Sequence, residues 1–273
     1  MIPGETYNIL KARYSDRIKN LTIEEIRIGL HLCAAGLSDG SVGVSATFED
    51  NHPFCARSKR DFGDFTPLNF RGQRVEDLFR SEKENNILCS VRLAVLNAIS
   101  SEIISSGLYK VIEDCDPLEL VSVTSDRTVT IVGAFHSYVR KLSETGCRLH
   151  VLELNENALP EEFRKFYVPA GGYEDVVCQS DLVIITGQTL ANGTIEGLLG
   201  AVVPGSTVIV AGPSGSILPD VLFSNGVNII GATRITGKDV LFDLVSEGAS
   251  GYHLIKYCAK KICILRNDEA PAE

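Results

Sequence analysis

Four short segments rich in Gly, Ser, Thr and Asn, and a fifth that begins with a glutamate, each follow directly after a run of aliphatic residues. Hydroxyl and amide side chains form hydrogen bonds without a formal charge, and Gly lets the backbone approach a bound molecule closely. The candidate ligand-binding residues of these segments are Gly133, Phe135, Glu153, Thr186, Gly187, Thr189, Asn192, Thr194, Gly212, Pro213, Ser214, Thr233 and Arg234. They predict a small-molecule site, although the same residue types also close turns and cap helices.

Two titratable residues near these segments are the candidates for catalysis. His136 begins a predicted helix beside the first segment, and Glu153 ends a predicted strand. The position of His136 suits either a general base or a capping group at a helix N-terminus. Arg234 can pair with an anionic group of a ligand. The sequence contains no recognisable motif of a nucleophile and its base, so these roles remain open.

The first segment departs from the fingerprint of dinucleotide-binding domains. That fingerprint, G-x-G-x-x-G, needs three glycines, and here Gly133 stands alone with Phe135 in the place of the second. NAD and FAD are therefore disfavoured. Glu153 follows about 20 residues later, where an acid that binds ribose would lie. The cofactor stays unknown, and an S-adenosylmethionine-like nucleoside fits better than a dinucleotide, unless Glu153 is simply an exposed strand-end carboxylate.

The composition of the chain limits its partners. A net charge of −9 offers no basic face, so neither nucleic acid nor an anionic membrane is an expected partner. The N-terminus lacks the basic and apolar regions of a signal peptide. The uncharged stretch 197–219 is interrupted by prolines, which disfavours a membrane helix. We therefore expect a soluble, cytoplasmic protein.

Neither the cysteines nor the histidines indicate a metal site. The 8 cysteines are scattered and none forms a C-x-x-C pair. His52 and Cys55 share a long polar loop over residues 49–66, but two residues do not make a metal site. No metal-binding residue is predicted, although long loops of this kind are often functional.

Residues 127–273 have the pattern of a Rossmann-like ligand-binding domain of the α/β class. The apolar runs lie at residues 128–132, 148–152, 181–185, 207–210 and 227–230, and predicted helices lie between runs at 135–145 and 194–199. Strands that alternate with helices predict a doubly wound, mainly parallel sheet. Ligands bind such sheets at the carboxyl ends of the strands. The candidate residues should therefore meet at one edge.

Residues 1–115 instead predict a smaller α+β domain, joined by a linker over residues 116–126. An amphipathic helix is predicted first, then a hairpin with alternating apolar residues, then helices near residues 75–79 and 86–105. Asn97 lies in the most apolar of these helices. A buried amide needs partners, so Asn97 is either a structural residue or a ligand-binding group that faces a cleft between the domains.

Several motifs together resemble a known prokaryotic family. They are Val132-Gly133-Ala134-Phe135, the run from Ser180 to Thr194, Ala211-Gly212-Pro213-Ser214 and Gly231-Ala232-Thr233-Arg234. The chain resembles a domain-of-unknown-function family described as "putative heavy-metal chelation". The resemblance implies an enolase N-terminal-like domain followed by a Rossmann-like domain, with a site at their junction. It also implies a likeness to methyltransferase domains and a link to pterin-, flavin- or siderophore-like molecules, but no established reaction.

Three functional hypotheses follow, and whether the protein is an enzyme stays open among them. The first is a protein that binds or transforms a heterocyclic or metal-chelating small molecule in the interdomain cleft. The second is a non-catalytic protein that carries a metal or a metal chelate. The third is an S-adenosylmethionine-dependent, methyltransferase-like enzyme. A homodimer is expected from the size of the chain alone.

Overall fold

The computed structural model describes residues 1–48, 61–83 and 85–266. His52 and Cys55, and residues 49–60 of the predicted long loop, lie outside the described residues. The first half contains the elements α1 (Ile2–Arg13), α2 (Ser15–Asn20), β1 (Ile23–Ile28), β2 (Leu32–Leu37), β3 (Val42–Ala46), α3 (Val75–Arg80) and α4 (Asn86–Ser105). The strands β1, β2 and β3 form an antiparallel sheet in that order.

Helix α4 packs across this small sheet. Its apolar residues are buried, among them Leu93, Leu96 and Ile99. The side chain of Asn85 caps the helix by accepting a hydrogen bond of 2.8 Å from the amide of Leu88. Gly43 of β3 is required at the contact, because a β-carbon there would overlap the backbone of α4. By length and composition α4 could span a membrane, but 72% of its most apolar window is buried, as in a core helix.

The predicted first helix and the predicted hairpin both differ from the structure. The helix divides at Tyr14, whose backbone leaves the helical region between α1 and α2. The hairpin is instead a three-stranded meander, because the chain turns at Gly29 between β1 and β2. The amide of Gly29 donates a hydrogen bond to the carbonyl oxygen of Leu32. Gly29 also packs directly against the backbone of Val245, so a β-carbon at this position would clash. Alternating apolar residues could not reveal this turn.

The rest of the chain forms a mainly parallel, eight-stranded sheet, which confirms the predicted sheet type and adds three strands to the five that the apolar runs indicated. Its elements are β4 (Lys110–Glu113), β5 (Thr128–Val132), α5 (His136–Ser143), β6 (Arg148–Glu153), β7 (Tyr167–Pro169), α6 (Tyr173–Val177), β8 (Leu182–Thr186), α7 (Gln188–Ala191), α8 (Ile195–Gly200), β9 (Thr207–Ala211), α9 (Asp220–Ser224), β10 (Ile229–Ile235), α10 (Lys238–Ser246), α11 (Gly251–Tyr257) and β11 (Ala259–Leu265).

The strand order explains where a ligand can bind. The order is β4-β11-β10-β9-β8-β5-β6-β7, and all neighbours are parallel except for the two pairs made by β11. The six parallel strands therefore have the doubly wound Rossmann order, 3-2-1-4-5-6 in chain order. The chain reverses direction across the sheet between β5 and β8. A crevice opens at such a switch point, beyond the carboxyl ends of the strands.

The region of the predicted domain boundary is closely attached to the large sheet. Strand β4, within the predicted first domain, pairs with β11 at the edge of this sheet. The predicted linker includes a 3₁₀ helix at Pro117–Leu120, and Pro117 packs against Gly231 of β10. One hydrophobic cluster also joins residues of α4 to residues of β8 and β9. The two halves thus share a core, and the boundaries at residues 115 and 127 stay a prediction.

Candidate functional site

The first of two large cavities at the carboxyl edge of the sheet, which we call cavity A, lies at the switch point. Its volume is about 490 Å³. It is lined by Phe48, Val132, Gly133, Leu152, Glu153, Leu154, Ala170, Gly171, Tyr173, Thr186, Gln188, Thr189, Asn192, Gly193, Thr194, Gly197 and Leu198. Six of the candidate ligand-binding residues therefore meet there: Gly133, Glu153, Thr186, Thr189, Asn192 and Thr194.

The floor of cavity A is the segment that follows β8, and hydrogen bonds within it fix its shape. The hydroxyl of Thr189 donates to the carbonyl oxygen of Thr186 over 2.7 Å. The side-chain oxygen of Asn192 accepts hydrogen bonds from the amide and the hydroxyl of Thr194, at 3.1 and 2.7 Å. These contacts hold hydroxyl and amide groups at the cavity without any formal charge.

Gly133 makes the wall of cavity A between β5 and β8. Its φ is +98°, a conformation that other residues rarely adopt. A β-carbon at this position would also lie 3.1 Å from the methyl carbon of Thr186. The single glycine of the first segment therefore lets Thr186 approach the β5–α5 loop. This packing is a structural reason for Gly133 that does not require a dinucleotide.

Glu153 is the one charged residue among the described residues that line cavity A. Its carboxylate accepts hydrogen bonds from the backbone amides of Ala134 at 2.9 Å, Leu154 at 2.7 Å and Asn155 at 3.4 Å. A carboxylate offers about four acceptor positions, so one remains for a ligand. The bond to Ala134 also ties the end of β6 to the first loop, and Glu153 thus has a structural role beside any role in binding.

The second large cavity, cavity B, lies beside α5 and α11 at the ends of β9 and β10. Its volume is also about 490 Å³. It is lined by Cys115, Pro117, Phe135, Ser137, Tyr138, Ala211, Gly212, Pro213, Gly231, Ala232, Thr233, Gly251, Tyr252, Ile255, Lys261 and Ile262. Because successive side chains of a strand point to opposite faces, the buried residues of the sheet form one hydrophobic cluster on each face. Of the lining side chains that take part in these clusters, those of cavity A belong to one cluster, and most of those of cavity B belong to the other. The candidates Phe135, Gly212, Pro213 and Thr233 therefore lie in a separate cavity.

A buried carboxylate organises the floor of cavity B. Asp116 accepts hydrogen bonds from the Nζ of Lys261 and the hydroxyl of Tyr138, both at 2.7 Å, and from the amide of Leu118 at 3.1 Å. Burial alone would raise the pKa of Asp116, but these hydrogen bonds outweigh burial and hold its pKa below the usual value. Burial and the neighbouring Asp116 raise the pKa of Tyr138. Asp116 is thus ionised and Tyr138 is a neutral donor at neutral pH.

Two candidate ligand-binding residues join the halves of the molecule instead of lining a large cavity. The Nδ2 of Asn97 donates to the carbonyl oxygens of Val44 at 2.6 Å and Pro213 at 3.1 Å. The hydroxyl of Ser214 accepts a hydrogen bond of 2.8 Å from the amide of Ala46. Both contacts connect the small sheet to the loop after β9. The Nδ2 contacts fit the structural alternative for Asn97, whereas its buried Oδ1 has no hydrogen-bond partner among the described residues, so both alternatives stay predictions.

Three further candidates also lie outside the two large cavities. Gly187 packs against Gly215: a β-carbon on Gly187 would lie only 2.7 Å from the amide nitrogen of Gly215. Arg234 forms an ion pair with Glu113 and lines only a small pocket of about 20 Å³. The Nε2 of His136 lies 2.7 Å from the carbonyl oxygen of Ala158, on the surface. The structure thus brings neither His136 nor Arg234 to Glu153.

Several lining residues were not expected from the sequence. In cavity A they include Tyr173 and Gln188, and in cavity B they include Tyr138 and Lys261. Tyr138 appears in the sequence as one apolar position of a helix, and Lys261 belongs to a strand, β11, that the apolar runs did not include. Asp116 was assigned to a linker. The Asp-Pro pair at 116–117 indicates a turn at this point, but it does not indicate that Asp116 contacts Lys261.

A family comparison agrees with this architecture. A model of the DUF364 family, described as "Putative heavy-metal chelation", matches residues 116–264. The chain belongs to the DUF364 family. A second model, DUF4213, carries the same description and matches residues 11–100. No curated protein matches the chain.

Two solved structures of DUF364 family members have the same fold along nearly the whole chain. One, from Pyrococcus horikoshii, is 18% identical, with a TM-score of 0.76 over 97% of this chain and 100% of its own. The other, from Desulfitobacterium hafniense, is 20% identical, with a TM-score of 0.68 over 95% of this chain and 99% of its own. Both are described as proteins of unknown function. At this identity, the likeness establishes the fold of the DUF364 chain.

The metal-ligating residues of this DUF364 protein do not cluster in the described part of the chain. Within residues 1–48, 61–83 and 85–266, no group of three or more His, Cys, Asp and Glu side chains is arranged to hold a metal ion. The polar groups of cavity A are mainly hydroxyl and amide groups. Such groups suit the heteroatoms of an organic ligand better than a soft metal ion.

Proposed function

We propose that this DUF364 protein binds a small heterocyclic, metal-chelating molecule of the pterin, flavin or siderophore type in cavity A. The observation that carries the proposal is the neutral hydrogen-bonding floor formed by Thr186, Thr189, Asn192 and Thr194 at the switch point. The apolar side chains of Val132, Leu152 and Leu198 line the same cavity. An apolar cavity with a few fixed polar groups is the usual form of a site for an organic ligand.

The two halves of the chain both contribute to this site. Phe48, which follows β3, lines cavity A together with residues from β5, β6 and β8. A planar ligand would lie against the aromatic rings of Phe48 and Tyr173, since rings favour offset stacking. Glu153 would accept a hydrogen bond from a ring N–H or a hydroxyl group of the ligand. In this arrangement a metal ion is held by the bound chelator, and the protein recognises the organic part.

A thermal-shift panel tests the proposal. Purified protein would be mixed with a pterin, a flavin mononucleotide, a catecholate chelator with and without Fe³⁺, and S-adenosylmethionine. We expect one class to raise the melting temperature, and Thr186→Val together with Asn192→Leu to remove that shift. Asn157→Ala, at an exposed residue that does not line cavity A, is the control and should keep the shift. The proposal would be wrong if no class stabilised the protein, or if the control lost the shift as well.

A nucleoside of the S-adenosylmethionine type is the second candidate. The observation that favours it is the position of Glu153, which ends β6 beside the Gly133 loop and faces cavity A. An acid at this place binds ribose hydroxyls in Rossmann domains. Calorimetric titration distinguishes the two candidates: S-adenosylmethionine should release heat, and Glu153→Gln should abolish it. No heat, and no competition with a pterin or flavin, would remove this candidate.

A carrier of a metal or metal chelate, without catalysis, is the remaining alternative. The floor of cavity A supports binding without indicating a reaction, since its groups are hydroxyls and amides. Elemental analysis of purified protein tests direct metal binding, for which we expect less than one transition metal ion per chain. A homodimer in solution stays a prediction, and sedimentation of the purified protein would test it.

A further inference from the structure

Cavity B differs in chemistry from the proposed ligand site. Lys261 is the one charged residue among the described residues that line it, and the aromatic side chains of Phe135, Tyr138 and Tyr252 form much of its wall. We propose that cavity B is a second, separate binding site for a planar aromatic carboxylate of one or two rings. The carboxylate would pair with the ammonium group of Lys261, and the rings would lie against the aromatic wall. This inference does not depend on what binds in cavity A.

The ammonium group of Lys261 is available to such a ligand. The side chain of Lys261 is 51% exposed, whereas that of its partner Asp116 is 10% exposed. An ammonium group has three donors, and one of them is used by Asp116. The oxygens of Asp116 also accept hydrogen bonds from Tyr138 and Leu118, and Asp116 itself is not among the residues that line the cavity. The positive group of the pair therefore reaches the ligand, and Asp116 fixes its position.

The register of the sheet keeps Lys261 in place at the end of the cavity. Lys261 pairs with Thr233 in the antiparallel ladder of β10 and β11. Thr233 lines the same cavity. The neighbouring Lys260 points to the other face of the strand and pairs with Asp114 at 3.0 Å. The strand thus presents one lysine to cavity B and one lysine away from it.

The aromatic wall suits a flat ring. The rings of Phe135 and Tyr138 are stacked, with centroids 5.3 Å apart and an angle of 21° between their planes. Tyr252 of α11, which also lines the cavity, is 69% exposed, and so in part is Ile255 of the same helix. A flat ligand would cover both of these side chains. The volume of about 490 Å³ is within the range of small-molecule sites and leaves room for two fused rings.

Binding of 3-hydroxy-2-naphthoate to the full chain tests the proposal. The chain contains no Trp, so the fluorescence of the naphthoate is read without an indole background. We expect saturable binding that Lys261→Gln weakens about tenfold or more, since a charge-assisted hydrogen bond is lost. Lys260→Gln is the matched control and should change the affinity less than twofold. The neutral amide of the same acid should bind the wild type weakly, with no effect of Lys261→Gln.

Two more variants keep the test decisive. Tyr252→Ala changes an exposed wall residue, so the protein should fold normally while the naphthoate binds at least threefold more weakly. Thr186→Val with Asn192→Leu alters cavity A and should leave naphthoate binding unchanged. If the naphthoate does not bind, if both lysine variants weaken it equally, or if the cavity A variant abolishes it, the proposal is wrong. Its failure leaves the thermal-shift result for cavity A unaffected, so the two proposals are judged separately.

Discussion

Cavity A and cavity B lie at the same end of one sheet and have equal volumes of about 490 Å³, yet their charges are opposite. Among the described lining residues, cavity A contains Glu153 alone and cavity B contains Lys261 alone as a charged side chain. Glu153 is held by backbone amides, whereas Lys261 is held by a buried carboxylate. The end of a Rossmann-like sheet can therefore present two crevices with different ligand preferences, one on each face.

The largest effect is expected at Asp116, the buried carboxylate that holds Lys261 of cavity B. Asp116→Asn places an amide opposite the donors of Lys261 or Tyr138, so we expect a loss of about 3 kcal/mol in the free energy of unfolding. Urea denaturation measures it. Asp114→Asn, at an exposed ion pair with Lys260, should cost less than about 0.5 kcal/mol. Equal losses in the two variants would show that Asp116 does not organise cavity B.

A change at Gly133 should affect cavity A selectively. With φ at +98° and Thr186 close by, Gly133→Ala should destabilise the protein by about 2 kcal/mol and displace Thr186. Gly226→Ala is the control, since Gly226 has a φ of +89° but open space around it, and should cost about 1 kcal/mol. The ligand found in the thermal-shift panel should bind Gly133→Ala more weakly, while naphthoate should bind it normally. A loss of both ligands would mean that the cavities are not independent.

Neutralising Glu153 should have a smaller effect. In Glu153→Gln, one acceptor oxygen becomes an NH₂ group that faces a backbone N–H. We therefore expect the free energy of unfolding to fall by about 1 kcal/mol. Thermal and urea unfolding would measure it, with the exposed Glu156→Gln as control. If Glu153→Gln is as stable as the wild type, its contacts with the first loop do not matter for the fold.

The smallest expected effect is a dependence on pH that involves cavity B. The folded-state pKa of Asp116 is lowered, so its contribution to stability is present above the ordinary value of about 3.9 and is lost as the pH falls through the folded pKa. The difference in the free energy of unfolding between the wild type and Asp116→Asn should therefore narrow as the pH falls into the acid range. Urea unfolding at a series of pH values measures this difference. A difference that widens in acid would contradict the assignment.

Much of the large sheet could be predicted from the sequence, because strands buried on both faces leave continuous apolar runs. β5, β6, β8, β9 and β10 all have such runs. β4, β7 and β11 were missed, since β4 and β7 are short edge strands and β11 has two consecutive lysines after its first residue, which interrupt its apolar residues. Their pairing is decided by tertiary contacts that a local pattern does not contain.

The sequence indicated which candidate residues follow the strands, but it did not indicate which of them lie together. The sequence placed the candidate residues at one edge, and the structure divides most of them between cavity A, at the ends of β5, β6 and β8, and cavity B, at the ends of β9 and β10. Ser214, a candidate ligand-binding residue, and Asn97, for which a structural role was also open, both connect the halves of the chain. Lys261 and Asp116 are 145 residues apart, so no local spacing could reveal their contact.

Strand β4 has a consequence for how the molecule avoids self-association. It pairs with β11 and thereby covers backbone groups of β11 that would otherwise be open to another chain. β4 itself is four residues long, with Lys110 and Glu113 at its ends, and a short charged strand is a poor template for further pairing. β4, at the end of the first half of the chain, therefore covers one edge of the eight-stranded sheet. In this position it protects the protein against aggregation through that edge.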